Sequence, residues 1–233
     1  RFTYKVQDEA GGIAQALALA ENFTNQDSMI VILGDNIFED KLTNFAEDFV
    51  KQGNGSKIIL KDVPDPNRFG VAELSGDKVI GIEEKPDDPK TNWAVTGIYF
   101  YDKQVFDIIR TLKPSGRNEL EITDVNNAYL SKNQMTYGFF NGWWTDAGTF
   151  ESLRKADELA EKLIKEQGGQ PAFLNYKTNK FGRPYPSSLC ASVNDEVVHG
   201  VAKNNHYKLK EGDIVNLDLG FTYKGLITDK TLM

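Results

Sequence analysis

The sequence predicts an α/β protein whose first two-thirds form a doubly wound sheet, and three observations carry that reading. Met29–Leu33 is an uninterrupted apolar run that ends on Gly34-Asp35-Asn36. Such a run fits a strand buried on both faces of a parallel sheet. Strand-like and helix-like periods alternate on either side of it, as in βαβ units. Asp35 follows Gly34 where the apolar run ends, and Asp146 stands between Gly142 and Gly148 immediately before a helix. Open α/β sheets bind ligands in the crevice at such strand ends.

In chain order, Phe2, Tyr4 and Val6 alternate with polar residues and predict a strand with one apolar face. Gly11-Gly12 break the chain, and Ile13, Ala16, Leu17 and Ala20 then recur at helical spacing up to Phe23. A glycine pair at a helix start suits close approach by a phosphate or base, and a plain turn explains it as well. A helix at Thr43–Gln52 and a strand at Lys57–Lys61 continue the alternation. Phe69–Leu74 and Lys78–Glu83, joined by Ser75-Gly76-Asp77, read as a hairpin. Trp93–Tyr101 is rich in aromatic and β-branched residues and predicts a strand, followed by helices at Lys103–Leu112 and Asn118–Asn133. Glu119, Glu121 and Asp124 near the start of the second helix suit its dipole.

Composition narrows the function. The chain has 233 residues, 40% hydrophobic and 26% charged, enough for a sizeable core. A net charge of −7 argues against non-specific binding to nucleic acid or to an anionic membrane. One cysteine excludes an internal disulfide. No bilayer-spanning run and no signal peptide are evident, so the cytoplasm is the expected compartment. The opening residue is Arg1, and the chain reads as cut from something longer.

The blocks YKVQDEAGGIAQAL, VILGDNIFED, NRFGVAEL, IEEKP, AVTGIYFYD, LEITDVN and WWTDAGTF follow one another along residues 2 to about 156. In kind and order they resemble the sugar-1-phosphate nucleotidylyltransferases, and closely those that use glucose 1-phosphate and a thymidine nucleotide. The resemblance implies an incomplete Rossmann-like nucleotidyltransferase sheet. It implies that Gln7 and Gly12 contact the base, that Asp35 and Asp146 hold Mg²⁺, with Asp35 also near the nucleotide, and that Lys85 binds the sugar phosphate. Phe69, Gly70, Glu84, Val95 and Gly97 would line the sugar pocket. Two carboxylates are suitable hard ligands for Mg²⁺, and a lysine serves as a point charge on phosphate. The family's glycine-rich triphosphate loop does not occur in the sequence, which leads us to expect weak turnover.

Glu151–Glu166 reads as one helix closed by Gly168-Gly169. Beyond it PAFLNYK, YPSSLCASVNDEVVHG and LKEGDIVNLDLGFTYKGLITD resemble the type I methionine aminopeptidases, an α+β pita-bread fold, again incomplete. Domains at 1–156 and 157–233 are therefore expected, joined inside the helix near residues 150–160. Asn216 and Asp218 share one strand face, and a tight turn near Tyr223–Gly225 predicts that Asp218 lies opposite Asp229, or nearly so. Carboxylates directly opposite would be about 5 Å apart and repel unless a metal lies between them. The resemblance makes Asp218 and Asp229 ligands of a divalent metal such as Co²⁺, Mn²⁺ or Fe²⁺, and His199 a contact for the peptide substrate. Tyr176 and Tyr185 fall near the methionine pocket, and Cys190 reads as a small buried residue.

The expected partners are a nucleotide and a sugar phosphate, with peptide N-termini for the second segment. An oligomer would form through the nucleotidyltransferase segment. Three readings follow: a nucleotidylyltransferase core fused to part of an aminopeptidase as a chimeric reading frame, a metal-dependent aminopeptidase fragment, and a non-catalytic nucleotide-sugar binder.

Overall fold

The computed structural model describes residues 3–177, 180, 182–201, 210 and 213–232. The chain divides into two compact units, one of Arg1–Leu33 with Phe38–Trp144 and one of Gly34–Ile37 with Thr145–Met233. The elements of the first half are α1 (Ile13–Ala18), α2 (Glu21–Thr24), β1 (Met29–Ile32), β2 (Asn36–Phe38), α3 (Thr43–Gln52), β3 (Ser56–Asp62), β4 (Gly70–Ser75) and β5 (Lys78–Glu84). They are followed by β6 (Trp93–Tyr101), α4 (Gln104–Thr111), α5 (Ile122–Ser131), β7 (Met135–Phe139) and β8 (Trp144–Asp146).

In the first unit a sheet runs in the order β5-β4-β6-β3-β7, and β1 pairs with β6. Helices and apolar loops cover both faces. Ile58, Leu60, Tyr99 and Tyr101 point into a core with residues of α1, α4 and α5. The intervening Ile59, Ile98 and Phe100 face a second core with Phe45 and Phe49 of α3. This alternation is the two-residue period of strands that are covered on both sides.

The sheet is mixed, which corrects the expectation of parallel neighbours. Of the pairings named here only β3 with β7 is parallel. β1 lies antiparallel to β6, from Met29 opposite Tyr101 to Ile32 opposite Ile98. Its Ile30 and Ile32 remain 45% and 48% exposed, so the run at 29–33 is not the strand buried on both faces. That role falls to β3 and β6. An apolar run shows that both faces could be covered, but neighbours decide whether they are.

Two local expectations also change. Residues 3–7 form no strand, and Tyr4 and Val6 are exposed. The helix expected at 13–23 is broken into α1 and α2, and the one at 118–133 starts only at Ile122. Asn118 is left-handed (φ 62°), and the Leu120 N–H donates to Gly11 O at 2.8 Å, so this stretch pairs with the α1 turn instead of coiling. The hairpin at 70–84 forms as expected, with Ser75 opposite Lys78 around Gly76-Asp77.

A buried polar network ties the sheet to α5. Tyr129 Oη donates to Asp102 Oδ1 at 2.7 Å, and the Gly55 N–H donates to Asp102 Oδ2 at 2.7 Å. Burial and the Asp102 carboxylate both push the Tyr129 phenol well up, so it stays a donor. Tyr129→Phe leaves a buried carboxylate short of one donor. We expect a loss of about 1–3 kcal/mol in urea unfolding, and a change below a few tenths would contradict this.

The second unit contains α6 (Phe150–Glu166), β9 (Gln170–Pro171), β10 (Leu189–Val193), β11 (Val215–Tyr223) and β12 (Leu226–Leu232). Thr149 caps α6 in a capping box with Ser152, and Gly168 (φ 77°) and Gly169 close it. β11 pairs antiparallel with β9, β10 and β12. Lys224 and Gly225 both have positive φ, 49° and 80°, which suits a two-residue turn and sets Tyr223 opposite Leu226. That register places Asp218 opposite Thr231 and Asp229 opposite Gly220. The predicted opposition of the two aspartates is therefore two residues out. The Asp229 side chain lies outside the described ones.

Candidate functional site

In the first unit, one end of the β4–β5 hairpin gathers several predicted residues. Gly70 lies opposite Glu84, and the Lys85 N–H donates to Phe69 O at 3.0 Å. Lys85 is left-handed (φ 45°) and exposed, a sparsely populated backbone for a residue with a Cβ. Phe69 sits edge-on to Trp144 at 5.1 Å. Val95 and Gly97 are buried in β6, with Gly97 O accepting from the Leu33 N–H at 2.8 Å.

Glu84 is held from two sides by residues that sequence reasoning did not single out. Thr123 Oγ1 donates to Glu84 Oε2 at 2.5 Å, and Arg117 Nη2 lies 3.5 Å from Glu84 Oε1. Arg117 also binds Glu121 at 2.8 Å and Glu119 at 3.4 Å. The signal in the sequence was a single arginine just ahead of two glutamates. Their placement outside α5 made it ambiguous. Burial pushes the Glu121 carboxyl up, but the Arg117 and Ser115 hydrogen bonds and the charges of Arg117 and Lys85 outweigh it and hold it below the usual range.

The sign of the pH effect follows. A carboxyl depressed in the folded state adds stability above its unfolded pKa, about 4.3, which is lost as pH falls through the folded value. Arg117→Ala should therefore lower stability at pH 7 and lose that effect in acid, once Glu121 is protonated in the folded chain. Urea unfolding at pH 7 and in acid measures it; an equal effect at both would contradict the ion-pair account.

Gln7 and Gly12 meet at the start of α1. Gln7 Nε2 donates to Gln15 Oε1 at 2.6 Å and to Gly12 O at 3.4 Å. Gly12 has φ 91°, and a Cβ there would stand 2.6 Å from Leu120 O. The loop that carries Arg117, Glu119 and Glu121 thus links the Gln7–Gly12 turn to Glu84.

Glu39, Asp40 and Lys61 hold the turn before β8. Gly142 N donates to Asp40 Oδ2 at 2.7 Å, Trp143 N to Glu39 Oε2 at 3.2 Å, and Lys61 Nζ to Gly142 O at 2.6 Å.

In the second unit, Asp35 and Asp146 come together on the chain of the β2–β8 ribbon. Asp35 immediately precedes β2 and Asp146 ends β8. The Ala147 N–H donates to Asp35 O at 2.7 Å. Asn36 Nδ2 donates to Asp35 Oδ1 at 2.8 Å. A Cβ on residue 148 would lie 2.8 Å from Asp146 Oδ2, so Gly148 leaves that carboxylate its room. Two hard carboxylates at adjoining strand ends are ligands of the kind Mg²⁺ takes, one or two at a time with several waters kept.

The remaining predicted residues of this unit are placed differently. Asp218 is half-buried between Cys190 and Thr231 in register, and among the described residues no group of three His, Cys, Asp or Glu gathers for a metal. His199 is exposed with φ 62°. Tyr176 is exposed, whereas Tyr185 Oη donates to Gly200 O at 2.7 Å, and burial pushes that phenol up. Cys190 is buried, as expected.

Residues 1–162 match the nucleotidyl transferase family. The chain belongs to that family. A glucose-1-phosphate thymidylyltransferase of Neisseria meningitidis is 40% identical over 166 residues, 70% of this chain and 58% of the relative. One from Mycobacterium tuberculosis is 37% identical over 170 residues, 72% of this chain and 59% of the relative. This nucleotidyl transferase chain thus spans somewhat over half the length of these curated relatives. Among solved structures, a Bacillus anthracis protein described as a glucose-1-phosphate thymidylyltransferase, with sucrose bound, superposes with a TM-score of 0.65. It is 57% identical, over 68% of this chain and 64% of that one. A UDP-glucose pyrophosphorylase with UDP-glucose has the same TM-score at 23% identity, over 70% of this chain and 66% of that one, which speaks to the fold alone. The α/β fold is the Rossmann-like one of nucleotidyltransferases. A weaker match to metallopeptidase family M24 covers residues 144–233 and overlaps the first over residues 144–162. Among the described residues no helix is long and apolar enough to cross a membrane.

Proposed function

We propose that this nucleotidyl transferase chain carries the sugar-nucleotide site of a glucose-1-phosphate thymidylyltransferase, joined within α6 to a partial methionine-aminopeptidase-like segment. The reaction is dTTP plus glucose 1-phosphate giving dTDP-glucose and pyrophosphate. The observation that carries the reading is the Gly70–Glu84–Lys85 hairpin end, where Thr123 and Arg117 fix a carboxylate beside an exposed lysine.

In this reading Glu84 accepts hydrogen bonds from sugar hydroxyls, and Lys85 neutralises the sugar phosphate. Gln7 and the Gly12 backbone bind the base, and Phe69, Gly70, Val95 and Gly97 shape the sugar pocket. Asp35 and Asp146 would hold Mg²⁺, which when bound neutralises the nucleotide's phosphate charge. A sugar-phosphate oxygen forms the new bond to the α-phosphorus as the bond to pyrophosphate breaks. The protein's part is alignment and charge neutralisation.

Binding is the cleanest readout. Calorimetric titration with dTDP-glucose should give saturable binding that thymidine and glucose 1-phosphate each weaken by competition. No heat and no competition would refute the reading.

A second reading, a metal-dependent methionine aminopeptidase half, rests on the M24 match. It places Asp218, Asp229 and His199 at a peptide site with Co²⁺, Mn²⁺ or Fe²⁺. Methionine release from a Met-Ala-Ser peptide with Co²⁺, abolished by Asp218→Asn, would favour it. A third, nucleotide-sugar binding without catalysis, predicts dTDP-glucose binding without pyrophosphate release.

A further inference from the structure

Asp35 immediately precedes β2 and Asp146 ends β8, strands of only three residues each. A two-stranded ribbon of that size has no independent stability. Within the second unit, residues close to both carboxylates are packed into an apolar core. Ile37, two residues beyond Asp35, and Ala147, next to Asp146 and 3% exposed, join one apolar core. That core contains Leu189 and Ala191 of β10, Leu217 of β11, and Leu153 and Ala156 of α6. α6, which begins four residues after Asp146, is fastened to the same sheet. The Leu189 N–H donates to Asp157 Oδ1 at 2.6 Å, and Ser188 Oγ to Glu161 Oε2 at 3.2 Å. Asp157 is fully buried, so this contact is expensive to break.

The geometry points to a supporting role for the M24-like sheet: β10 and β11 form the platform that sets Asp35 and Asp146 for a divalent cation, with Leu189 and Leu217 as positioning residues. This rests on the proposed reading of the two aspartates as a cation site. The segment after α6 then contributes to the nucleotidyl transferase part of the chain whatever peptide chemistry it has. Leu217 belongs to the core that Ile37 and Ala147 join, and it offers no ligand atom of its own. Moving the support of a metal ligand typically weakens affinity by about 10–100-fold.

The test is Mn²⁺ binding to the full chain, followed by the EPR signal of free Mn²⁺, with thermal unfolding recorded for each variant. Leu217→Ala should weaken the Asp35- and Asp146-dependent binding by about tenfold, and Leu217→Met should restore most of it. Leu226→Ala, 76% exposed on the same sheet, should leave it unchanged. If Leu217→Ala does not fold, Leu217→Val and Leu217→Met are compared, and affinity should fall as the side chain shortens. Equal affinity across the folded Leu217 variants overturns the platform. If Asp35→Asn and Asp146→Asn leave Mn²⁺ binding intact, the cation reading itself fails, and the platform with it.

Discussion

Asp146→Asn should lower divalent-cation affinity by more than the about 10–100-fold that an outer partner typically carries. Asparagine keeps the shape and the β8 backbone but removes the charge that a hard cation requires. The change is confined to one carboxylate at the end of a strand, and Asp35 remains bonded through its carbonyl to the Ala147 N–H. A second variant reaches the same carboxylate by space instead of charge. In Gly148→Ala the new Cβ meets Asp146 Oδ2 at 2.8 Å and pushes the flexible carboxylate aside. Both should weaken Mn²⁺ in the EPR titration while the unfolding transition moves little. Unaltered affinity in both would mean that the cation, if bound, is held elsewhere.

Gly12→Ala is the second large effect, and it should appear without any ligand. Gly12 combines φ 91° with backbone neighbours, Leu120 O at 2.6 Å and Leu120 N at 2.9 Å from the position of a Cβ. Neither neighbour is the loose end of a side chain, so the turn itself must move. That turn carries two hydrogen bonds, Ala14 N to Leu120 O at 3.2 Å and Leu120 N to Gly11 O at 2.8 Å. Left-handed strain alone costs about 1–3 kcal/mol, and loss of these bonds adds to it. We expect at least about 2 kcal/mol in urea unfolding. Sequence reasoning assigned Gly12 to a base contact, while the geometry shows that the chain's own loop already demands glycine. A variant of full stability that fails only in nucleotide binding would restore the base contact as the sole reason for glycine.

The difference between what could and could not be read from the sequence follows from range. α3, β6 and the 70–84 hairpin carry their own signals: amphipathic spacing with Gly53 beyond it, a β-branched and aromatic run, and a two-residue turn. Long-range choices were illegible. Met29–Leu33 is the longer apolar run and Ile58–Leu60 the shorter, yet β6 and β7 flank β3, whereas β1 has one partner among the described strands. Likewise Gly34-Asp35 and Asp146-Ala147-Gly148 announced carboxylates near glycine at element ends. The partnership of Arg117 with Glu84 could not be read, because 33 residues separate them. The Asp218–Asp229 register failed because the turn position was known only to within a residue, and each residue of turn shift moves the pairing.

The most direct test of the central claim is calorimetric titration of dTDP-glucose into the wild-type chain and into Lys85→Ala. Lys85 is exposed just beyond β5, and its charge also acts on Glu121, so the unfolding of each chain is recorded beside the titration. A charged hydrogen bond to phosphate is worth about 1.5–3 kcal/mol, or roughly 10–150-fold in affinity. The account predicts saturable binding to the wild type and a loss of that size in Lys85→Ala. Equal affinity for the two chains would contradict it.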